Sequence, residues 1–213
     1  MAERRRGADL EHALLEAAWV ELTNNGYAGL TMECVAERAG TSRPVIARRW
    51  AGKAPLAIAA IRQQMARHPL EVPDCGDLRT EVMEFLKRAS ERASAIAAAF
   101  SLFTSEYFSE ISSNPEGLRK SLIQGEEEIF SMILERGVAR GEVDPEKLVP
   151  PVTTMIAALF RYHVIMNFAA PPDDLKEAWV DTIFLPLVRA KEPGSASGTD
   201  GDVPRIGNAT SLP

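Results

Sequence analysis

The sequence predicts an all-α protein. Helical periodicity runs through most of its 213 residues, and no stretch alternates β-branched residues between hairpin turns. Glycine and proline also fall where helices stop rather than where strands pair.

Leu10, Leu14, Ala18 and Leu22, flanked by Leu15 and Trp19, form the apolar face of a first helix. Asn24-Asn25-Gly26 ends it, with Gly26 as the C-cap. Thr31 N-caps a short second helix through Ala39, which Gly40 stops. Ser42 caps a third, carrying Pro44 in its first turn and closing around Trp50-Ala51-Gly52. Lys53 opens a fourth, reaching about His68, and Pro69, Pro73, Asp74 and Gly76 make a linker. Further helices are expected over 77–99, 102–112, 116–140, 145–168 and 173–190, separated by Asn114-Pro115, Gly141 and Pro171-Pro172. Residues 192–213 are rich in Gly, Ser and Pro and read as a disordered tail. The expected division is a head at 1–52, a body at 53–191 and the tail.

Composition is that of a globular protein, with 46% hydrophobic and 25% charged residues. A net charge of −6 argues at first against a nucleic-acid partner, yet the charge is unevenly spread. Residues 1–68 hold 10 Lys/Arg against 7 Asp/Glu, and the remainder 14 against 23. From Arg38 to Leu70 there are seven cations, Arg38, Arg43, Arg48, Arg49, Lys53, Arg62 and Arg67, and no acid. That segment reads as a surface for anions.

Cys34, Cys75 and the three histidines lack metal-ligand spacing, so neither a metal nor a cofactor is expected. The N-terminus has no signal-peptide core, which makes the cytoplasm the expected compartment. The longest apolar run, 148–170, contains Pro150, Pro151, Arg161, His163 and Asn167 and reads as a buried helix, not a membrane span.

The second helix, a turn at Ala39-Gly40-Thr41-Ser42 and the third helix have helix-turn-helix spacing. Arg43, Arg48 and Arg49 on two turns suit phosphate and guanine contacts, and Lys53 stands where a helix N-terminus could share a phosphate with it. Thr31, Thr41, Ser42, Pro44, Val45 and Trp50 complete the candidate DNA-binding set. Trp50, like Trp19 and Tyr27, also reads as core of the small head. Arg4-Arg5-Arg6 reads either as a frayed terminus or as an arm touching DNA.

Gly26-Tyr27, Thr31, Ala39-Gly40, Trp50 and Lys53, together with the surrounding LTMECVAERAGTSRPVIARRWAGKAPL, resemble the tetracycline-repressor (TetR-type) family of bacterial regulators. The motif-level likeness covers about residues 9–60. Two positions depart from the family pattern. Ala47 stands where a Tyr is common, and Pro44-Val45 replaces a Gly-Thr pair, so Val45 could face a thymine methyl.

The resemblance implies a ligand-responsive repressor on a pseudo-palindromic operator in double-stranded DNA, working as a homodimer. It also implies a cavity in the body for a small organic effector. Phe103, Tyr107, Phe130, Met155, Leu159, Tyr162, His163 and Met166 are the candidate lining residues, with Arg161 a further polar candidate. In the family the last two helices build the dimer interface, which here points to Phe160, Val164, Trp179, Ile183 and Leu187. Glu126-Glu127-Glu128 reads as a solvated face. The sequence has no G-x-S-x-G, phosphate loop or H-E-x-x-H, which disfavours an enzyme. A helical adaptor is the remaining alternative, and salt dependence separates it from a DNA binder.

Overall fold

The structure is a computed structural model that describes residues 7–104 and 115–190, with side chains 103 and 115–124 outside that description. The expected helix at 102–112, the tail at 192–213 and Arg4-Arg5-Arg6 therefore lie largely or wholly outside the described residues. Among those residues the chain is all-α, nine helices with a single isolated bridge between Val143 and Arg189. None of these helices is long and apolar enough to cross a membrane.

Helix α1 (Ala8–Gly29) buries Leu14, Leu15, Ala18 and Leu22, the face its periodicity predicts. Gly26 breaks it with φ +66, a left-handed value that suits a residue without Cβ. Beyond the break one further turn inserts Tyr27 into the core at 2% exposure. Helix α2 (Met32–Ala39) begins at Thr31, whose hydroxyl accepts from the Cys34 N–H at 3.1 Å. It ends at left-handed Gly40. The short α3 (Arg43–Ala47) follows Ser42, and α4 (Lys53–Arg67) follows Gly52. Along α4, Leu56, Ala57, Ala60 and Ile61 are fully buried, and the helix packs on both α1 and the later helix Ala93–Phe103. It therefore joins head to body.

The helix expected over 77–99 is two: α5 (Leu78–Glu91) and α6 (Ala93–Phe103), separated at Arg92 with φ −98 and ψ −1. Asp77 caps α5 by accepting from the Thr80 N–H at 2.8 Å. Helix α6 is rich in alanine, and Ala93, Ala95, Ala97, Ala98 and Ala99 are all buried. Residues this small let α6 pass close to α1, α4 and the helix Pro150–Asn167 at once, and the bend at Arg92 aims it there.

Helix α7 (Pro115–Ala139) ends at Gly141, with φ +75. The expected start of the next helix at Pro145 is occupied by a 3-10 turn, Pro145–Lys147. Helix α8 is Pro150–Asn167, because adjacent prolines lacking N–H groups are tolerated only in a first turn. The last rod, α9, runs as Asp173–Ala178, a π-helical stretch Trp179–Phe184 and Leu185–Val188. Pro186 cannot donate to the carbonyl four residues back, and the wider π turns before it accommodate that loss. The body core stacks Phe130 between Phe85 and Phe184, with ring centroids 5.1 and 5.5 Å apart.

Candidate nucleic-acid interface

Gly40 lets the chain reverse between α2 and α3, and the Thr41 N–H closes the turn on the Ala36 carbonyl at 2.9 Å. Ile46, fully buried, anchors α3 to the head. With that one residue inward, Ser42, Arg43, Pro44, Ala47, Arg48 and Arg49 are exposed and Val45 and Thr41 are half-buried. Ser42 stands at the N-cap position, but its side chain makes no capping hydrogen bond, contrary to expectation. Trp50 packs against the core, which favours its structural reading over direct DNA contact.

Two of the seven cations are held by acids of the head. Arg38 pairs with Glu21 at 2.7 Å, and Glu21 is buried and also accepts from Asn25. Arg67 pairs with Glu16 at 2.7 Å, beside Gln63 and Gln64 on the same carboxylate. These two arginines tie α1 to α2 and to α4. The cations at the start of α3 and just past its end are held more loosely. Arg48 Nε and Arg49 Nη1 donate back to carbonyls of α3, Pro44 at 3.2 Å and Val45 at 3.5 Å. Arg43 meets Glu33 at 2.9 Å in an exposed pair, a kind worth only about 0–1 kcal/mol and readily exchanged for phosphate. The sequence reading missed Glu33 as a partner because α2 and α3 must first be placed beside each other.

Lys53 departs most from its expected role. Its Nζ donates to the Tyr27 carbonyl at 3.2 Å and lies 4.5 Å from the centroid of the Tyr27 ring. The side chain thus fastens the turn after Gly26 to the start of α4. We expect Lys53→Met to lower the thermal midpoint by several degrees as well as weaken DNA binding. A fall in DNA affinity with an unchanged midpoint would contradict the fastening role.

In the body, the residues of α8 exchange their expected places. Phe160 and Val164, expected at a dimer interface, are 2% and 0% exposed within a single chain and belong to its core. Tyr162 and Met166, expected to line a cavity, are 66% and 60% exposed. Met155, Leu159 and His163 are half-buried, and the His163 ring stands edge-on to Trp179 with centroids 6.1 Å apart. Phe130 is packed in the aromatic stack. Tyr107 lies outside the described residues, as does the side chain of Phe103. On α9, Ile183 and Leu187 are exposed and Trp179 half-buried. The solvated-face reading holds for Glu127 and Glu128, but Glu126 is buried and meets Arg161 at 3.0 Å. No group of three or more His, Cys, Asp or Glu side chains that could hold a metal occurs among the described residues.

Residues 14–60 match the family model described as bacterial regulatory proteins, tetR family, and residues 72–183 match that of the tetracyclin repressor-like C-terminal domain. An uncharacterized HTH-type transcriptional regulator of Mycobacterium tuberculosis is 26% identical over 183 residues, covering 83% of this chain and 86% of the relative. A DNA-binding transcriptional repressor TetR of Mycobacteroides abscessus is 28% identical over 185 residues, covering 86% and 96%. Among solved structures, a transcriptional regulator from Saccharomonospora viridis in complex with choline superposes with a TM-score of 0.67 at 14% identity. That match covers 87% of this chain and all of the other.

Proposed function

We propose, for a chain that belongs to the tetR family of bacterial regulatory proteins, that it works as a homodimeric repressor which a small organic effector releases from a pseudo-palindromic operator. The observation that carries the DNA-binding part is the outer face of α3. Arg43 in its first turn and Arg48 and Arg49 just past its end are exposed, Ile46 fixes the helix from behind, and among the described residues none of the three arginines is locked into a buried pair. In this reading Arg43, Arg48 and Arg49 meet phosphates and guanine edges. Pro44 and Val45 offer apolar contact to thymine methyls, and Thr31, Thr41 and Ser42 donate to the phosphate backbone. The first turn of α4, beginning at Lys53, adds its positive dipole end.

The dimer reading rests on exposed apolar side chains of the last two helices, Tyr162 and Met166 on α8 with Ile183 and Leu187 on α9. A solvated face this apolar suits a second copy of the chain. Two recognition helices would then sit roughly 34–36 Å apart to enter successive major grooves. Replacing Met166 and Leu187 together with glutamate should raise the dimer dissociation constant about 100-fold or more, read by sedimentation. An unchanged dimer would remove these helices from the interface.

An effector acts here by favouring a different spacing of the two heads, a coupling typically worth about 1–3 kcal/mol. The choline held by the Saccharomonospora viridis regulator supports a body of this fold as a container for small organic molecules. Cytoplasmic location belongs to the same reading. Its test is the salt dependence of binding to duplex DNA. Log affinity should fall with log salt at a slope of roughly −0.9 per phosphate neutralised, and a salt-independent interaction would favour the protein-adaptor alternative.

A further inference from the structure

We propose that Glu33 is a positioning residue for sequence reading, which directs Arg43 toward a guanine of each half-site and keeps it off the phosphates. This assignment rests on the DNA-binding reading above and divides the three arginines of that face into one base reader and two phosphate holders.

The two side chains meet because of how the turn is built. Thr31 caps α2 and so fixes Glu33 in its first turn. Gly40, with φ +67, reverses the chain and brings Arg43, in the first turn of α3, back beside it. Glu33 Oε1 then stands 2.9 Å from Arg43 Nε. Both side chains are exposed, so the ion pair lies at the surface that the first turns of α2 and α3 share. Among the described residues no carboxylate pairs with Arg48 or Arg49, whose side chains donate to carbonyls of α3.

In water such a pair is weak and opens readily. What Arg43 meets on DNA is then decided by the charge beside it. A phosphate would have to displace Glu33 and leave an unpaired carboxylate against a polyanion, or share the guanidinium with it, and like charges at that range repel. A guanine edge is uncharged. Its N7 and O6 accept two N–H bonds from an arginine, and a carboxylate standing at Nε leaves Nη1 and Nη2 to supply them. The pair also narrows the rotamers of a long exposed side chain before docking, which lowers the entropy lost on contact. Arg48 and Arg49 carry no such neighbour among the described residues, and each is suited to a phosphate. An acid in the first turn of α2 also complements the helix dipole. That role concerns α2 alone and would give Arg43 no preference among bases.

The test selects duplexes from a pool with a randomised centre, using the full-length protein and its Glu33→Gln, Glu33→Asp and Arg43→Ala variants. Affinities are then measured by anisotropy on the selected duplex and on copies changed at one base pair. The unaltered chain should prefer G·C at one position of each half-site by about tenfold or more, and Arg43→Ala should abolish that preference alone. Glu33→Gln should reduce it to about threefold or less at the same position. Binding of that variant to an unselected duplex should tighten, with a salt slope steeper by about 0.9, as Arg43 turns to a phosphate. Glu33→Asp, which keeps the charge, should lie between. An unchanged preference or an unchanged slope in Glu33→Gln would overturn the proposal. So would loss of preference at a pair that Arg43→Ala leaves alone, since Glu33 would then read a base itself. Those outcomes leave the DNA-binding reading standing, whereas an unaltered chain that selects no duplex would refute that reading and the positioning role with it.

Discussion

Replacing Arg48 and Arg49 together with alanine should lower affinity for duplex DNA on the order of 100-fold and flatten the salt slope by about 1.8. The affinity figure assigns each arginine one charge-assisted contact of about 1.5 kcal/mol, and the slope figure counts two phosphates at about 0.9 each. Both side chains are exposed, and among the described residues they donate to carbonyls of α3, Pro44 and Val45. Ile46 keeps the helix seated, and alanine is a good helix former. The fold should therefore be untouched, and the thermal midpoint should shift by no more than about a degree for so small a stability change. Anisotropy across a salt series checks the first part and dichroism the second. An unchanged slope would mean that α3 does not carry the phosphate contacts.

The largest expected effect on stability is at Glu81. This side chain is fully buried, with Arg136 Nε at 2.9 Å and Arg140 Nη1 at 3.0 Å, and it also accepts from the Cys75 N–H at 3.2 Å. Arg136 donates in addition to the Val72 carbonyl through both terminal nitrogens, at 3.3 Å each. One carboxylate thus fixes the linker after α4 to the start of α5 and the end of α7. Glu81→Leu removes the one buried acceptor shared by Arg136, Arg140 and the Cys75 N–H, and although Arg136 keeps the Val72 carbonyl and Arg140 keeps Asp74 and Glu142, breaking a buried pair from one side typically costs about 3 kcal/mol. The urea midpoint should drop accordingly at an unchanged m-value, while Glu81→Gln, which keeps an acceptor oxygen, should lose less. A loss below about 1 kcal/mol for the leucine variant would show that the network is incidental.

The head was legible because its sequence is punctuated. Gly26, Thr31, Gly40, Pro44 and Lys53 each mark a boundary through a backbone requirement that acts locally, and four helices follow, the second and fourth within a residue of the expected ends, the first running on to Gly29 past its break at Gly26 and the third stopping at Ala47, three residues before Trp50. The bend at Arg92 has no such mark, since neither glycine nor proline stands there and the alanine run beyond it continues the helical pattern. In α8 the difficulty was phase. That helix is apolar on most of its circumference, so periodicity alone could not distinguish Phe160 and Val164 inside from Tyr162 and Met166 outside. Glu126 was hidden by its neighbours. A run of three glutamates resembles a solvated face until Arg161, 35 residues away, is brought against one of them. The cations of the head failed as a set for the same reason: Arg38 and Arg67 find Glu21 and Glu16 only in three dimensions.

A dimer that reads a DNA sequence through α3 must select particular sites from a genome. The most direct test is selection of genomic fragments by the purified protein at about 150 mM salt, where non-specific phosphate binding is already weakened, followed by footprinting. A few fragments should be enriched, each with a short protected region of two half-sites about 10 base pairs apart, centre to centre, or a multiple of that. A folded, dimeric protein that enriches no fragment, or protects DNA without sequence preference, would contradict sequence reading through α3.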